Sequence, residues 1–235
     1  SRGEQFPKLI VTNLGTAIQS VMLPALSAHQ THLEQVRRML QRAIKISVFL
    51  VFPMMAGLAA SADNLVLVLL GPKWLACVPF LQISCLAYAV WPMDIANLQA
   101  LNAMGRSDVF LKLEILKKMV GVLILLLSLR CGPLTFIAWK ACGDFICTFI
   151  NAWPNQRLLS YSIGKLWKDI LPALLASAAM GISVYLAGNF FPAGILGLAG
   201  QIVLGVLLYL GISWGGKLES FSYLMEILQE KIKKS

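Results

Sequence analysis

The chain has 235 residues, of which 58% are hydrophobic and only 13% charged; its net charge is +9 and its mean hydropathy +0.74. Ordinary soluble domains are nearer about 45–50% apolar and about 25% charged. The balance therefore excludes a typical water-soluble domain and points to a bilayer.

Apolar stretches of about 20 residues recur, each long enough to cross roughly 30 Å of hydrocarbon at about 1.5 Å per residue. Seven spans are expected, over 6–27, 41–62, 75–102, 107–129, 133–153, 168–188 and 193–214. The first carries Thr12, Thr16, Gln19 and Ser20, flanked by Asn13, as a continuous polar stripe at helical spacing. A basic connection comes next with Arg37, Arg38, Arg42 and Lys45, and with His29 and His32 three residues apart. No third ligand stands near the two histidines, which argues against zinc.

In the third span Asp94 and Asn97 share a face just after Trp91-Pro92, with Gln99 off it. The fourth is apolar but holds Lys112, Glu114, Lys117 and Lys118 in its first half. In the fifth, Lys140, Asp144, Thr148 and Asn151 succeed one another at steps of four, four and three, again one stripe. Pro24, Pro53, Pro79, Pro92 and Pro172 lie in or at the ends of spans, where each removes a backbone hydrogen bond and favours a kink. The tail places Leu218, Phe221, Leu224, Met225, Leu228 and Ile232 at near-helical spacing among charges, which reads as an amphipathic helix on the membrane surface.

The basic residues fix the orientation. One side of the alternating spans holds Arg37, Arg38, Arg42 and Lys45, then Arg106, Lys112, Lys117 and Lys118, then Arg157, Lys165 and Lys168, and finally Lys217, Lys231, Lys233 and Lys234. The other holds Arg2, Lys8, Lys73 and Arg130. The richer side is cytoplasmic by the positive-inside rule. The charges then serve orientation and anionic-lipid contact rather than nucleic-acid binding, for which no accompanying soluble fold is present.

Other chemistry is narrowed by what the sequence lacks. Cys77, Cys85, Cys131, Cys142 and Cys147 have no C-x-x-C spacing and read as small packing residues. There is no phosphate-binding G-x-x-x-x-G-K-[ST] loop and no G-x-S-x-G nucleophile elbow. A Lys–Asp pair at membrane depth has two readings. Lys140 and Asp144 neutralise each other along one helix face, or they join the other stripes around a water-filled cavity.

The order of local signatures resembles a known family. "QFPKLIVTNLGTAIQSVMLPALS", "FPMMAGLAASADNLVLVLLGPKW" and "VPFLQISCLAYAVWPMDIANLQALNAMGRSD" are similar to consecutive helices in the C-terminal lobe of Wzx-type polysaccharide flippases. These belong to the multidrug/oligosaccharidyl-lipid/polysaccharide exporter superfamily. The resemblance implies an all-α polytopic membrane protein of about seven transmembrane helices. Residues 1–155 would form part of a MATE-like C-terminal lobe, 156–214 two additional helices, and 215–235 a cytoplasmic amphipathic tail.

It further implies flipping of undecaprenyl-pyrophosphate-linked oligosaccharide across a bacterial inner membrane, without catalytic residues, cofactor or metal. The substrate-binding candidates are Asn13, Thr16, Gln19, Asp94, Asn97, Lys140, Asp144, Thr148 and Asn151. Expected partners are the lipid-linked oligosaccharide, membrane lipids, and a glycan polymerase or glycosyltransferases of the same pathway. The start "SRGEQFP" lacks an initiator Met, and a helix begins almost at once. The expectation is that the chain is a piece of a larger transporter and transports poorly alone. Two alternatives stand: an ion-coupled antiporter for drugs or organic cations, with Asp94 and Asp144 holding the coupled ion, and a non-transport membrane subunit or enzyme of glycan metabolism.

Overall fold

Long apolar runs in a medium without water must satisfy their own backbone groups, which helices do within one segment. The computed structural model describes residues 2–30, 32–128 and 132–234, excluding the side chains of residues 2, 227, 228 and 230–234. Arg130 and Cys131 lie outside the described residues, as do the side chains of Arg2, Leu228, Lys231, Ile232, Lys233 and Lys234. Among the described residues there is no strand.

The helices are α1 (Arg2–Ser27), α2 (Leu33–Ala60), α3 (Ala62–Leu69), α4 (Val78–Ala89), α5 (Trp91–Ala103), α6 (Ser107–Ser128), α7 (Pro133–Leu158), α8 (Ile163–Gly188), α9 (Ile195–Gly215) and α10 (Glu219–Lys234). A 3-10 turn, Pro72–Cys77, links α3 to α4. Gly71 starts it at φ +88°, a conformation open to glycine at little cost.

Among the described residues, six segments are long and apolar enough to cross a membrane: Gly3–Ser27, Leu33–Ala60, Pro72–Ala103, Pro133–Leu158, Ile163–Gly188 and Ile195–Gly215. The protein is a multi-pass membrane protein. Helix α6 fails that criterion because of Lys112, Glu114, Lys117 and Lys118, although its 22 residues would span the hydrocarbon.

The packing nevertheless carries α6 from one end of the helical bundle to the other. Asp94 of α5 meets Thr148 and Asn151 of α7, and Asn97 meets Asn155. Both numbers rise together, so α5 and α7 run parallel. The segment between them must return from one end of the bundle to the other.

Two connections are shorter than the sequence pattern indicated. Residues 33–45, read as a basic connection, are the first turns of α2. Val36, Leu40 and Ile44 recur every fourth residue and are fully buried, while Arg38 and Arg42 stay exposed. Lys117 and Lys118 likewise stand on α6, well beyond its first turns. The predicted third span is broken at Val90, because Pro92 has no N–H to continue the ladder.

Helix α8 runs parallel to α2. Asp169 stands beside Lys45 at one end, and Gly181 packs against Ala56 towards the other. Helix α9 returns antiparallel, with Gly205 against Met180 and Val184 and the Tyr209 hydroxyl donating to the Phe49 carbonyl at 2.8 Å. The tail helix α10 docks beside the start of α2, where Leu218, Phe221 and Leu224 pack against the cluster of Phe49, Ala176 and Tyr209. There Lys45 forms salt bridges to Asp169 at 3.1 Å and Glu219 at 2.6 Å, while Tyr161 donates to Asp169 at 2.9 Å. Burial, then the Asp169 carboxylate, push the Tyr161 phenol up.

Candidate functional site

The break before α5 sets the site. It puts Asp94 in the first turn of α5, where unpaired N–H groups and the helix dipole favour a carboxylate. Parallel α7 brings its polar stripe alongside. Asn151 donates to Asp94 Oδ1 at 3.1 Å and Thr148 to Oδ2 at 3.2 Å. Thr148 also donates to the Asp144 carbonyl at 3.1 Å. The two stripes seen separately in the sequence thus form one seam.

Beyond that seam Asn97 is 1% exposed. Its amide donates to the Met93 carbonyl, and Asn155 donates to its side-chain oxygen at 2.8 Å. Asn97 ties α5 to α7 and does not line the cavity next to them. Asn155, its partner, was not singled out from the sequence; its spacing of four from Asn151 on the same stripe was the available signal.

A cavity of about 750 Å³ opens between α1, the α4–α5 break, α6 and α7. Asp94, Lys140, Asp144 and Asn151 line it, with Tyr88 and Trp91 from the break. The buried Asn151 side-chain oxygen has no hydrogen-bond partner among the described residues, a state that native interiors seldom leave unfilled.

Helix α6 supplies Glu114, Lys117 and Lys118, and α1 supplies Lys8. Sequence reading missed these as site residues because it counted them as topological charge. The signal was present in Glu114, Lys117, Lys118 and Gly121, which share one face of an otherwise apolar helix.

The ion pairs differ from those the sequence offered. Lys140 Nζ lies 2.6 Å from Glu4 Oε1, on α1, instead of pairing with Asp144. It also stands over the Tyr88 ring at 6.0 Å, and the Tyr88 hydroxyl donates to Glu4 at 3.3 Å. Glu4, Tyr88 and Lys140 thereby join α1, α4 and α7. Lys117 is paired with Glu114. Among the described residues, Lys8, Lys118 and Asp144 have no salt bridge.

Asn13, Thr16 and Gln19 are exposed on α1 and are not part of the cavity lining. Thr16 donates to the Asn13 carbonyl at 2.9 Å and Thr12 to the Lys8 carbonyl at 2.7 Å. Such back-bonding satisfies a hydroxyl without a partner helix. Lys8 begins the same face, so the α1 stripe continues outward from the cavity.

The family described as polysaccharide biosynthesis protein matches residues 1–79. The teichuronic acid biosynthesis protein TuaB of Bacillus subtilis (strain 168) is 23% identical over 182 residues, covering 77% of this chain and 38% of that protein. The lipopolysaccharide biosynthesis protein WzxC of Escherichia coli (strain K12) is 24% identical over 183 residues, 72% of this chain and 36% of that protein. The chain is similar to Wzx-type polysaccharide biosynthesis proteins.

An uncharacterized membrane protein in the cps region of Klebsiella pneumoniae is 28% identical over 150 residues, 64% of this chain and 29% of that protein. The chain therefore spans about a third of the length of the curated relatives it matches. No solved structure matches. The similarity to Wzx-type proteins supports a polysaccharide-related membrane role.

Proposed function

We propose that the chain forms part of the path by which a lipid-linked oligosaccharide, carried on undecaprenyl pyrophosphate, crosses a bacterial inner membrane. The observation that carries this reading is the cavity between α1, α5, α6 and α7 with two lysines, Lys8 and Lys118, that no carboxylate neutralises among the described residues. A sugar-pyrophosphate headgroup loses its hydration in hydrocarbon, so it needs replacement partners. Lysine ammonium groups serve the phosphates as point charges. The volume lies within the roughly 300–1,000 Å³ of ordinary ligand sites, which suits a headgroup while the polyprenyl tail stays in lipid. No bond is made or broken. The partners in this reading are that lipid, the surrounding bilayer, and the polymerase or glycosyltransferases of the same pathway.

A second reading is favoured by Asp144, a cavity carboxylate without a salt bridge among the described residues. It would hold a coupling proton or sodium ion in an organic-cation antiporter. Substitution separates the two. Surface polysaccharide per unit of membrane-inserted protein is measured in a strain lacking its own exporter, complemented by an exporter that contains this chain and restores export, for Lys8→Met with Lys118→Met and for Asp144→Asn. Anion recognition predicts loss of about tenfold or more for the lysine variant, since hydrogen bonds to charged groups are each worth about 1.5–3 kcal/mol, and a milder effect of Asp144→Asn. Full export by the lysine variant, with loss only in Asp144→Asn, would overturn it in favour of ion coupling.

A further inference from the structure

Far from that cavity, one face of α2 carries two adjoining concavities. At the basic end a pocket of about 290 Å³ is lined by Arg38, Gln41, Arg42 and Ile46 of α2 and by Ser220 and Tyr223 of α10. Lys45 and Glu219 border it but are spent on each other. Arg38 shares an exposed carboxylate, Glu34, at 3.3 Å. Arg42 lies over the Tyr223 ring at 5.8 Å and has no carboxylate partner among the described residues.

One turn after Ile46 comes Leu50, and with it a second concavity of about 490 Å³. This cleft runs between α2 and α9 along Leu50, Pro53, Met54 and Gly57 on one side and Val206 and Leu210 on the other. Its rims face outward where the bilayer lies: Met54 is 44% exposed and Val206 57%.

We propose that this composite groove holds one anionic phospholipid of the leaflet at the basic end, its phosphate on Arg42 and Arg38 and one acyl chain in the α2–α9 cleft. Three observations commit it to that occupant. The polar part lies only at the end where the chain's basic residues concentrate, and it presents an unneutralised guanidinium beside an aromatic ring, a pairing suited to a headgroup at an interface. The cleft above it is apolar and laterally open, the form an acyl chain fits and a soluble anion does not. From Ile46 to Gly57 the groove rises about 16 Å, close to the roughly 15 Å of hydrocarbon in a single leaflet. The site stands mainly on α2, α9 and α10, with Ile10 of α1 and Met180 and Val184 of α8 also lining the cleft, and shares no lining residue with the proposed translocation path.

The test uses the whole chain purified in detergent, with phosphatidylglycerol, phosphatidylcholine or undecaprenyl phosphate added and retained lipid counted by native mass spectrometry. Phosphatidylglycerol is expected to be retained in preference. Arg42→Ala should lower its retention about fivefold, the size of one basic contact to an anionic surface, and adding Arg38→Ala should lower it again. Arg106→Ala, at the same end but paired with Asp108, should leave it unchanged.

Filling the cleft with Gly57→Leu should also release lipid, because nothing lies within 4 Å of a side chain started there. Val206→Trp fills it from the opposite wall and guards against a folding defect in the first. Equal losses for Arg42→Ala and Arg106→Ala would overturn the site as mere diffuse charge. Undiminished retention in both cleft variants would overturn the acyl-chain assignment. Preferential retention of undecaprenyl phosphate over phosphatidylglycerol would overturn the choice of lipid.

Discussion

Lys140 shows how a residue visible in the sequence acquires its meaning from a partner that is not. Its spacing to Asp144, Thr148 and Asn151 is read directly from the chain. Its ion pair is with Glu4, 136 residues away, and no helical periodicity links the two. Replacing Lys140 with Met removes its ion pair with Glu4 and should cost about 1 kcal/mol of stability in detergent micelles, the upper range for a partly exposed pair. In a Glu4→Gln background the same replacement should cost clearly less, whereas in an Asp144→Asn background it should cost as much. A cost that shrinks only in the Asp144→Asn background would show that the pair along the helix is the one that matters. In the seam, Asn155→Ala removes both hydrogen bonds to Asn97 and should cost about 1 kcal/mol, at a mean of about 0.6 kcal/mol for each such bond between membrane helices. Unchanged unfolding in a micelle titration would contradict it.

At the scale of elements, hydrophobic length located every span but blurred its ends. The start of α2 was hidden because its arginines made the segment look like a connection, while the fourth-residue spacing of Val36, Leu40 and Ile44 already marked a buried helical face. The cut between α4 and α5 was legible in Pro92, although the sequence did not reveal that it would present Asp94 to a neighbouring helix. Helix α6 is the contested element, since composition alone does not pass it as a span. The parallel course of α5 and α7 requires it to run from one end of the bundle to the other. With the native cysteines replaced, Ser107→Cys and Gly132→Cys should lie on opposite faces of the membrane. An impermeant maleimide applied to intact cells should label only Gly132→Cys. Labelling of both positions from the same side would remove α6 from the crossings and reverse the orientation of α7, α8 and α9.

For the whole molecule, the recurrence of long apolar runs was enough to place the chain in a bilayer, since that signal arises from the solvent rather than from particular contacts. Tertiary pairings such as α2 with α8 were not legible, because an apolar helix face carries little information about which other face will cover it. The tail was visible as an amphipathic helix, but its docking depends on Lys45. The hydrogen bond and charge of that lysine hold the Glu219 carboxyl below its ordinary value of 4.5. A depressed acid stabilises docking above that ordinary value and ceases to do so as pH falls through the lowered one. A fluorophore on Ser222→Cys should therefore show restricted rotation at neutral pH and greater freedom in strong acid. Glu219→Gln should be freer at neutral pH and insensitive to acid over that window. Acid-induced release that persists unchanged in Glu219→Gln would point to another carboxylate.

The Lys45 clamp also has a history in time. Its partner Glu219 is made 174 residues later, which at about 5–20 residues per second is an interval on the order of ten to thirty seconds of synthesis. Through that interval the ammonium has no tail carboxylate to meet. It has only its flexible stem, which lets the charge stay in water at the membrane edge while the rest of α2 is inserted. In the orientation that the positive-inside rule gives, the same lysine acts first as an address, holding the beginning of α2 on the side of the ribosome, and later as a fastener that closes the finished bundle. A substitution there would be felt twice, as misinsertion before it is felt as a loosened tail.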